Sequence, residues 1–458
     1  MKQYADCIEQ RQESEIYAFM HYGEDYYTGR NTEIYNRSKR VYLENYGAVS
    51  NPFQANHKIA TGYFKKIVDQ KVMYLLGNGA TFAEDDGSQV TALDDYFKTS
   101  FDECLIDAGT QASMKAESWL YWYKDTGRLK AMLIPAEQII PIYDDYDQLE
   151  KVIRRYKVGG KEVTLIIDGE TIERWERKAL AGEKEYQLVK TTGHYAKYTM
   201  QAGRMVGEPD QHSFDRVPFT PLYNNPERLS DLYPIKGLID IIDITLSDFA
   251  NNIDDMQEAF FTLKGYAGET QHLTEFMKQL KQIKAVPVSE DGDVKAQQLI
   301  IPVEAREKFL DRAERRLFSD AMAVNFEGSQ AKAMTATEIR SMLVDLDLKA
   351  DRFENEMRRF ITQIIEFINA NDNKNFSDEV MFSRSMIMNR TEELGMIVGG
   401  QAGASATLSR QTQVELLAKI FDIDPQKEME RLEEQGNPYP TDITDIPEPD
   451  ETEPGGED

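Results

Sequence analysis

The carboxylates of one acidic stretch come closest, by type and spacing, to a metal site. Asp240 and Asp243 are three residues apart, and Asp254 and Asp255 follow further along the same apolar-periodic segment. On one helix face these side chains would lie near one another, and oxygen ligands of this kind bind Mg²⁺. Since no second carboxylate motif of matching spacing accompanies them, a solvated helix face is the favoured interpretation. A metal-dependent enzyme built on residues 231–260 is kept as the alternative.

The other enzyme motifs in the chain are incomplete. Gly159-Gly160-Lys161 lacks the first glycine, the Ser or Thr and the helix of a phosphate-binding loop. Gly77-Asn78-Gly79 follows a helical pattern and lacks the third glycine of a dinucleotide-binding turn, so it indicates a helix cap. The stretch 144–147 lacks the Gly and the terminal Glu of a calcium loop.

The histidines are scattered singly, without a neighbouring nucleophile pattern. They are His21, His57, His194, His212 and His272. This distribution indicates neither a catalytic triad nor a zinc site. We therefore expect no enzyme, with no catalytic residue, no metal and no cofactor.

Composition narrows the function further. The 458 residues, of which 41% are hydrophobic and 10% aromatic, give room for two to four packed units. A net charge of −27 argues against ordinary nucleic-acid binding, which Lys and Arg drive by displacing the counterions of phosphates. Cys7 and Cys104 form no metal or disulfide pattern, which favours a reducing compartment. No apolar run is long enough for a membrane span, and the first twenty residues are too charged for a signal peptide.

An amphipathic helix of roughly 34 residues, about 50 Å long, is predicted from about Thr335 to Asn369. Thr335 and Glu338 have the spacing of a capping box at its start. Apolar residues recur at steps of three and four along it: Ile339, Met342, Leu343, Leu346, Ala350, Phe353, Met357, Phe360, Ile361, Ile364, Ile365 and Ile368. A helix of this length needs a long surface to lie against, which favours a scaffold or a subunit of a large assembly.

The first half of the chain combines helices with a meander of strands. Apolar spacing predicts a helix from about Ile59 to Leu76 and a second from about Ala92 to Tyr123, with Gly109 as a candidate kink. Between 127 and 177 the period changes to two, and Gly159-Gly160 marks a tight turn, so an antiparallel meander is expected. One or two more strands are expected between Gln187 and Val217.

The second half is mostly helical. Ser230 or Asp231, ahead of Pro234, is expected to cap a helix that runs to Phe260. A small mixed unit follows at 261–303, with a helix at 273–280 and a hairpin around Asp291-Gly292.

Two further helical sections and a tail complete the chain. Residues 304–325 have the apolar period of a helix, and a helical section is expected at about 390–434. The residues after Gly436 are acidic and rich in Pro, with no Lys or Arg, and are expected to be disordered.

Four stretches, in this order along the chain, carry a resemblance to a known family. They are Asn56-His57-Lys58-Ile59 continued by Tyr63 through Gly77; Val217-Pro218-Phe219 with Tyr223-Asn224-Asn225-Pro226-Glu227; Ile235 through Asp240 with Ser247 and Asn251-Asn252; and Arg390-Thr391-Glu392-Glu393 with Leu408-Ser409-Arg410-Gln411-Thr412. Together they resemble the portal proteins of tailed bacteriophages with long non-contractile tails, the siphovirus type. Thr61-Gly62 departs from the pattern, because a Pro is expected there.

The resemblance implies an α+β, predominantly helical, elongated subunit with long stem and wing helices, a β-meander in the wing and a small α/β clip. The order of elements then assigns the parts: wing 1–230, stem helix one 231–260, clip 261–303, stem helix two 304–326, channel (tunnel) loop 327–334, long wing helix 335–373, crown-like helical region 374–436, and disordered acidic tail 437–458.

The function that the resemblance implies is a ring, usually of twelve subunits, at one vertex of the capsid. Double-stranded DNA passes through its channel during packaging and ejection. The other implied partners are the terminase large subunit, the head-tail adaptor, and the major capsid and scaffolding proteins, with no membrane. The implied location is the virion, after assembly in the host bacterial cytoplasm.

The resemblance also names candidate contacts. The channel loop contains Gly328, Ser329, Gln330, Lys332 and Met334. The clip contains Lys278, Lys281, Lys284 and Lys295, candidates for contacts with the motor or with DNA, although ordinary solvated surface is the favoured interpretation of these lysines. Lys332 is the first residue to test, because a channel of net negative charge repels a polyanion and leaves close contacts few and local. An acidic capsid scaffold without a channel remains a further alternative.

Overall fold

A computed structural model of the chain describes residues 2–38, 40–43, 47–50, 55–82, 87–178, 186–197, 200–201, 204–205, 210–256, 260–264, 293–297, 303–325, 336–384, 411–412, 414, 417–418 and 425–434. Met1–Ala331 and Met342–Ser385 form one compact unit, and Lys332–Ser341 and Met386–Asp458 form a second. Among the described residues, more lie in helices than in strands, and both classes occur in the larger unit. The fold is therefore mixed α+β, as the sequence predicted.

The helices, in chain order, are α1 (Ala5–Glu13), α2 (Glu15–Tyr27), α3 (Thr32–Asn36), α4 (Tyr63–Leu76), α5 (Ser88–Asp94), α6 (Phe101–Lys115), α7 (Lys236–Met256), α8 (Val303–Asp320), α9 (Ala336–Asp372) and α10 (Pro425–Glu434). Short 3₁₀ turns lie at Lys2–Tyr4 and Ala136–Gln138. No helix among the described residues is long and apolar enough to cross a membrane.

The strands are β1 (Arg40–Leu43), β2 (Gly47–Ser50), β3 (Ala80–Phe82), β4 (Glu117–Asp125), β5 (Arg128–Ile134), β6 (Ile139–Tyr143), β7 (Leu149–Val158), β8 (Lys161–Ile167), β9 (Thr171–Lys178), β10 (Gln187–Gly193), β11 (Tyr195–Lys197), β12 (Met200–Gln201), β13 (Arg204–Met205), β14 (Asp210–His212), β15 (Phe219–Tyr223), β16 (Phe260–Lys264), β17 (Asp293–Gln297) and β18 (Val380–Phe382). The pairings are antiparallel.

The predicted meander is confirmed as a five-stranded sheet in the order β10-β9-β8-β7-β6. Gly159 and Gly160 connect β7 to β8 with φ of +55° and +74°. A two-residue hairpin turn with both φ positive matches the right-handed twist of the strands, and glycine adopts it without steric cost. The expected one or two strands after Gln187 are exceeded, because β10 to β14 lie between residues 187 and 212.

The predicted single helix from Ala92 to Tyr123 is wrong in two places. Turns and bends at residues 95–99 separate α5 from α6, and the part beyond α6 is a strand. The chain leaves α6 at Ala116, whose φ is +71°, and continues as β4 in a three-stranded sheet between β15 and β5. Aromatic residues such as Trp119 and Trp122 favour a strand, and their spacing coincided with a helical period. Gly109 is not a kink, since α6 is continuous there. A Cβ at Gly109 would lie 3.3 Å from the side chains of Leu76 and Phe353, so the glycine serves close packing.

The predicted helix 231–260 is shorter at both ends. α7 begins at Lys236, and Phe260 lies in β16. The Ser230 hydroxyl accepts a hydrogen bond from the Leu232 amide at 3.1 Å, whereas Asp231 is buried and takes no capping role. Turns occupy residues 231–235, so Pro234 precedes the helix instead of opening it.

The long helix is confirmed as α9, and its apolar stripe is the centre of the core. The stripe members from Leu343 onward that the sequence identified are buried: Leu343, Leu346, Ala350, Phe353, Met357, Phe360, Ile361, Ile364, Ile365 and Ile368. Met342 is half-buried, and the side chain of Ile339 lies outside the described residues. The Phe367 ring stacks on Trp122 with centroids 4.7 Å apart, which joins α9 to the three-stranded sheet.

Several sequence predictions lie outside the described residues. They are the helix at 273–280, the Asp291-Gly292 turn, most of the helical section at 390–434, and the tail 437–458. Within the predicted clip, β16 pairs with β17. In the second unit, α10 and helical residues between 411 and 418 are described, including buried Val414 and Ala418.

Candidate functional site

Few residues of the predicted channel loop and clip are among those that the structure describes. The channel-loop residues Gly328, Ser329, Gln330, Lys332 and Met334 and the clip residues Lys278, Lys281 and Lys284 lie outside the described residues. Lys295 is described, and its backbone pairs with Thr262 in the β16-β17 ladder. The described part of the site is therefore the set of elements from which the clip and the loop extend.

Helices α7 and α8 pack against each other and bracket residues 257–302 in the chain. The guanidinium of Arg306 lies 5.8 Å from the centre of the Phe249 ring, within cation–π range. At the other end of α8, Phe318 meets Tyr63 of α4 edge-to-face, with ring centroids 5.8 Å apart. α8 thus bridges α7 and α4.

An extended segment at residues 55–62 lies along α7 and is bonded to it by backbone amides. The amide of His57 donates to Asn251 Oδ1 at 2.6 Å, that of Ile59 to Ser247 Oγ at 2.9 Å, and that of Thr61 to Asp243 Oδ1 at 3.0 Å. We call this set of three hydrogen bonds the amide ladder.

The spacing of the donors along segment 55–62 matches the spacing of the acceptors along α7. Alternate residues of an extended chain are about 6.6 Å apart, and residues four apart on a helix rise about 6 Å. The three acceptors Asp243, Ser247 and Asn251 stand four residues apart and are buried. Short polar side chains at this spacing therefore satisfy donors that the segment cannot pair in a sheet. The ladder brings together Asn56 through Ile59 with Ser247 and Asn251, which are two of the four stretches that carry the family resemblance.

The carboxylates weighed as a metal site have protein partners instead. Asp243 accepts a hydrogen bond from the side-chain amide of Asn31 at 2.8 Å and another from the Thr61 hydroxyl at 2.7 Å. Burial raises the pKa of Asp243. Asp240 is paired with Lys236 at 2.8 Å and accepts a hydrogen bond from the Tyr26 hydroxyl.

The remaining described carboxylate of this group is engaged as well. Asp254 is paired with the ring of His57. In the part of the chain that the structure describes, no group of three or more His, Cys, Asp or Glu residues could hold a metal ion. The geometry thus assigns these acidic residues to the attachment of the 55–62 segment and of α2 and α3 to α7.

A buried charge cluster lies where α4, α9 and the entry to α7 meet. The Lys71 ammonium is 2.6 Å from Asp231 Oδ2 and donates to Asn224 Oδ1 at 2.6 Å. The Lys349 ammonium is 3.4 Å from Asp231 Oδ1. The Phe353 ring covers Lys71, with its centre 4.3 Å from the ammonium. These groups, Lys71, Asn224, Asp231 and Lys349, are called the buried charge cluster below.

Electrostatics of the buried charge cluster follow from one carboxylate shared by two ammonium groups. Burial lowers the pKa of Lys71 to about 8. The charge of Asp231 opposes this shift, and the nearby charge of Lys349 adds to it. Burial alone would raise the pKa of Asp231, but the ammonium groups of Lys349 and Lys71 lower it to about 2. Asp231 is therefore ionised at neutral pH.

The same region also fixes the end of α8. Lys349 donates to the Ala321 carbonyl at 2.9 Å, and the Gln70 side chain exchanges hydrogen bonds of 3.0 and 3.2 Å with the backbone of Val324. The N-terminal entry of α7 and the C-terminal exit of α8 are thus held on α4 and α9. This arrangement was not predicted from the sequence, although Lys71 on the apolar stripe of α4 was a usable signal.

Comparison with known proteins gives the family. The model of phage portal proteins described as SPP1 Gp6-like matches residues 9–439. The chain belongs to this portal family. The match includes all the elements of the amide ladder and of the buried charge cluster.

Two curated portal proteins are similar in sequence. The portal protein of Bacillus phage SPP1 is 27% identical over 427 residues, which are 88% of this chain and 81% of that protein. The portal protein of Clostridium phage phiCD119 is 25% identical over 368 residues, which are 75% of this chain and 78% of that protein.

Solved structures that resemble the chain include the virion of a native gene transfer agent particle and the neck of the native particle. Each has 10% identity and a TM-score of 0.42, and each match covers 79% of this chain and 88% of the other. The family assignment therefore rests on the sequence matches.

Proposed function

We propose that this chain is the subunit of a portal ring, a channel at one capsid vertex through which double-stranded DNA is packaged and later ejected. The observation that carries the proposal is the match of the portal family model to residues 9–439. The name shared by the two curated relatives supports it. The ring itself performs no chemistry, and the energy for DNA movement comes from a separate terminase motor.

The described elements suit this function as the sequence analysis assigned them. α7 and α8 take the part of stem helices one and two, residues 261–303 the clip, residues 327–334 the channel loop and α9 the long wing helix. In this assignment the buried charge cluster anchors both stem helices to the wing, at the ends remote from the clip. A force that the motor applies at the clip then reaches the wing through a charged, well-packed joint.

Partners and location follow from the same proposal. The clip meets the terminase large subunit during packaging and the head-tail adaptor afterwards, and the outer surface meets the major capsid and scaffolding proteins. The subunit is made in the host cytoplasm and ends in the virion. Because each chain carries −27, the ring repels DNA overall and lets it slide, with Lys332 as the proposed local contact.

The oligomeric state of the purified full-length chain tests this proposal. We expect closed rings in negative-stain images. Their mass should be an integer multiple of 52.6 kDa, near twelve copies. A metal-dependent enzyme would be a monomer with Mg²⁺-dependent turnover, and an acidic scaffold would form shells or open oligomers. Either of those results would overturn the proposal.

A further inference from the structure

Helix α8 carries charges of opposite sign on two opposite flanks, on either side of an outward face that includes Lys308 and Arg315. Its buried line, which includes Ala313 and Leu317, faces the core. At about 3.6 residues per turn, one set of side chains projects to one side of this line and another set to the opposite side. The basic flank consists of Phe309, Arg312 and Arg316 and ends at Asp320. The acidic flank consists of Val303, Glu307, Asp311 and the half-buried Glu314.

Both flanks are exposed in the isolated chain, and each includes an apolar side chain. Phe309 is 45% exposed and Val303 is 42% exposed. The Arg316 side chain is 69% exposed. Such an apolar residue beside charges of one sign is typical of a surface that is covered in an assembly, because aromatic and arginine side chains dominate interface energetics.

The charged side chains of the two flanks make few ion pairs with the described residues of the same chain. The side chains of Arg312, Glu307 and Asp311 make no ion pair or hydrogen bond with any residue in the described ranges. Arg316 pairs with Asp320 at 2.8 Å on the surface. An exposed pair of this kind contributes only about 0–1 kcal/mol, so a better partner can displace it.

We propose that α8 forms a contact between neighbouring copies of this chain, in which the basic flank of one copy meets the acidic flank of the next. This inference rests on the ring of the proposed function. A closed ring needs a heterologous interface, with two different surfaces on opposite sides of each subunit. One helix that carries opposite charges on opposite flanks supplies both surfaces, and like-charged flanks repel, so the pairing sets the direction of assembly.

DNA is the competing occupant of the basic flank, and two observations disfavour it. The acidic flank lies across the same helix, within about 10 Å, the width of a helix with its side chains. The chain as a whole carries −27. Phosphate binding needs a local excess of positive charge, which this helix does not provide, since its Lys and Arg residues are balanced by Asp and Glu.

A charge-swap experiment on the full-length chain tests the contact. The basic-flank variant is Arg312→Glu with Arg316→Glu, and the acidic-flank variant is Glu307→Lys with Asp311→Lys. The swap variant combines all four substitutions. The matched control is Lys308→Glu with Arg315→Glu, which makes the same change of charge on the outward face of α8, between the flanks. Ring fraction is measured by native mass spectrometry, and helicity and thermal midpoint are measured to confirm folding.

Each flank variant is expected to lower the ring fraction at least about tenfold, because like charges then face each other across the contact. The swap variant is expected to restore rings to near the wild-type fraction, and the control is expected to keep them. Folded flank variants that still form rings would overturn the inference and leave the portal function standing. Flank variants that form rings but lose DNA packaging would overturn it in favour of a DNA-facing role. A wild-type chain without rings would instead refute the proposed function.

Discussion

The Lys71 ammonium lies 2.6 Å from the Asp231 carboxylate, with both residues almost fully buried, at 1% and 7% exposure. The pair joins the middle of α4 to the chain that enters α7, and Lys349 extends the contact to α9. Burying ions is costly unless their charges and hydrogen bonds are compensated, and Asn224 supplies part of that compensation. The joint is therefore sensitive to the loss of any member.

Removal of Asp231 is expected to be the most damaging single change in the buried charge cluster. Asp231→Ala leaves the buried Lys71 ammonium and the half-buried Lys349 ammonium without this counter-ion, which should lower the free energy of unfolding by about 3–5 kcal/mol. Lys71→Met should cost less, because Lys349 still faces the carboxylate. Urea unfolding followed by tryptophan fluorescence measures both changes.

An exposed ion pair provides the control for this comparison. Glu304 pairs with Lys308 on the surface of α8, and Glu304→Gln should change the free energy of unfolding by less than about 0.5 kcal/mol. If Asp231→Ala were as mild as Glu304→Gln, the cluster would have no role in stability.

The low pKa of Asp231 makes its contribution dependent on pH. Its pKa is lowered to about 2 from the usual 3.8, so the contribution to stability is complete above about pH 4 and is lost as the pH falls toward 2. The difference in unfolding midpoint between wild type and Asp231→Asn should shrink as the pH falls from about 4 toward 2. A difference that stays constant through this acidic range would show that folding does not lower the pKa of Asp231.

The amide ladder is expected to depend on the side chains of α7. Ser247→Ala removes the acceptor for the Ile59 amide, and a buried donor without a partner costs about 1–3 kcal/mol. Hydrogen exchange of segment 55–62 should become faster, with the largest change at Ile59. Thr245→Ala is the matched control, because the Thr245 hydroxyl donates to the Ile241 carbonyl of its own helix and, among the described residues, not to segment 55–62. Equal exchange in the two variants would contradict the ladder.

The long helix and the meander could be predicted because their signals are local and repeated. The stripe of α9 keeps its period over many turns, and Gly159-Gly160 permits a turn that few other residues allow. The error at β4 arose where a strand follows a helix directly, and where aromatic residues fit both periods. Only the pairing of β4 with β5 and β15 decides between them, and that pairing is not visible in the local sequence.

The buried charge cluster and the amide ladder could be predicted only in part. The sequence predicted Ser230 or Asp231 as a helix cap, since caps are usually short polar residues near a helix start. Its true partners, Lys71 and Lys349, are far away in the chain, and a single sequence does not report which distant residues meet. The spacing of Asp243, Ser247 and Asn251 was visible, but the extended segment that uses it was not.

Lys332 is the proposed DNA contact of the channel loop. Lys332→Glu should impair DNA packaging while rings still assemble, because it replaces a local attraction for phosphate with repulsion. Packaged DNA protected from nuclease is the measurement. Lys190→Glu, a change of the same charge at an exposed position on β10, should have no effect. Unchanged packaging in Lys332→Glu would return this lysine to ordinary surface.

The acidic tail is expected to be dispensable for assembly. Deletion of residues 437–458 removes a stretch rich in Asp, Glu and Pro without an apolar pattern. Rings should form as in the wild type, as judged by light scattering. Loss of oligomers would assign the tail a role in subunit contacts.

Native mass spectrometry of the purified full-length chain, combined with negative-stain imaging, tests the portal account most directly. The expected result is one closed ring, with a central hole wide enough for duplex DNA and a mass close to twelve times 52.6 kDa. A chain that stays monomeric at high concentration, or that forms open or irregular oligomers, would contradict the account.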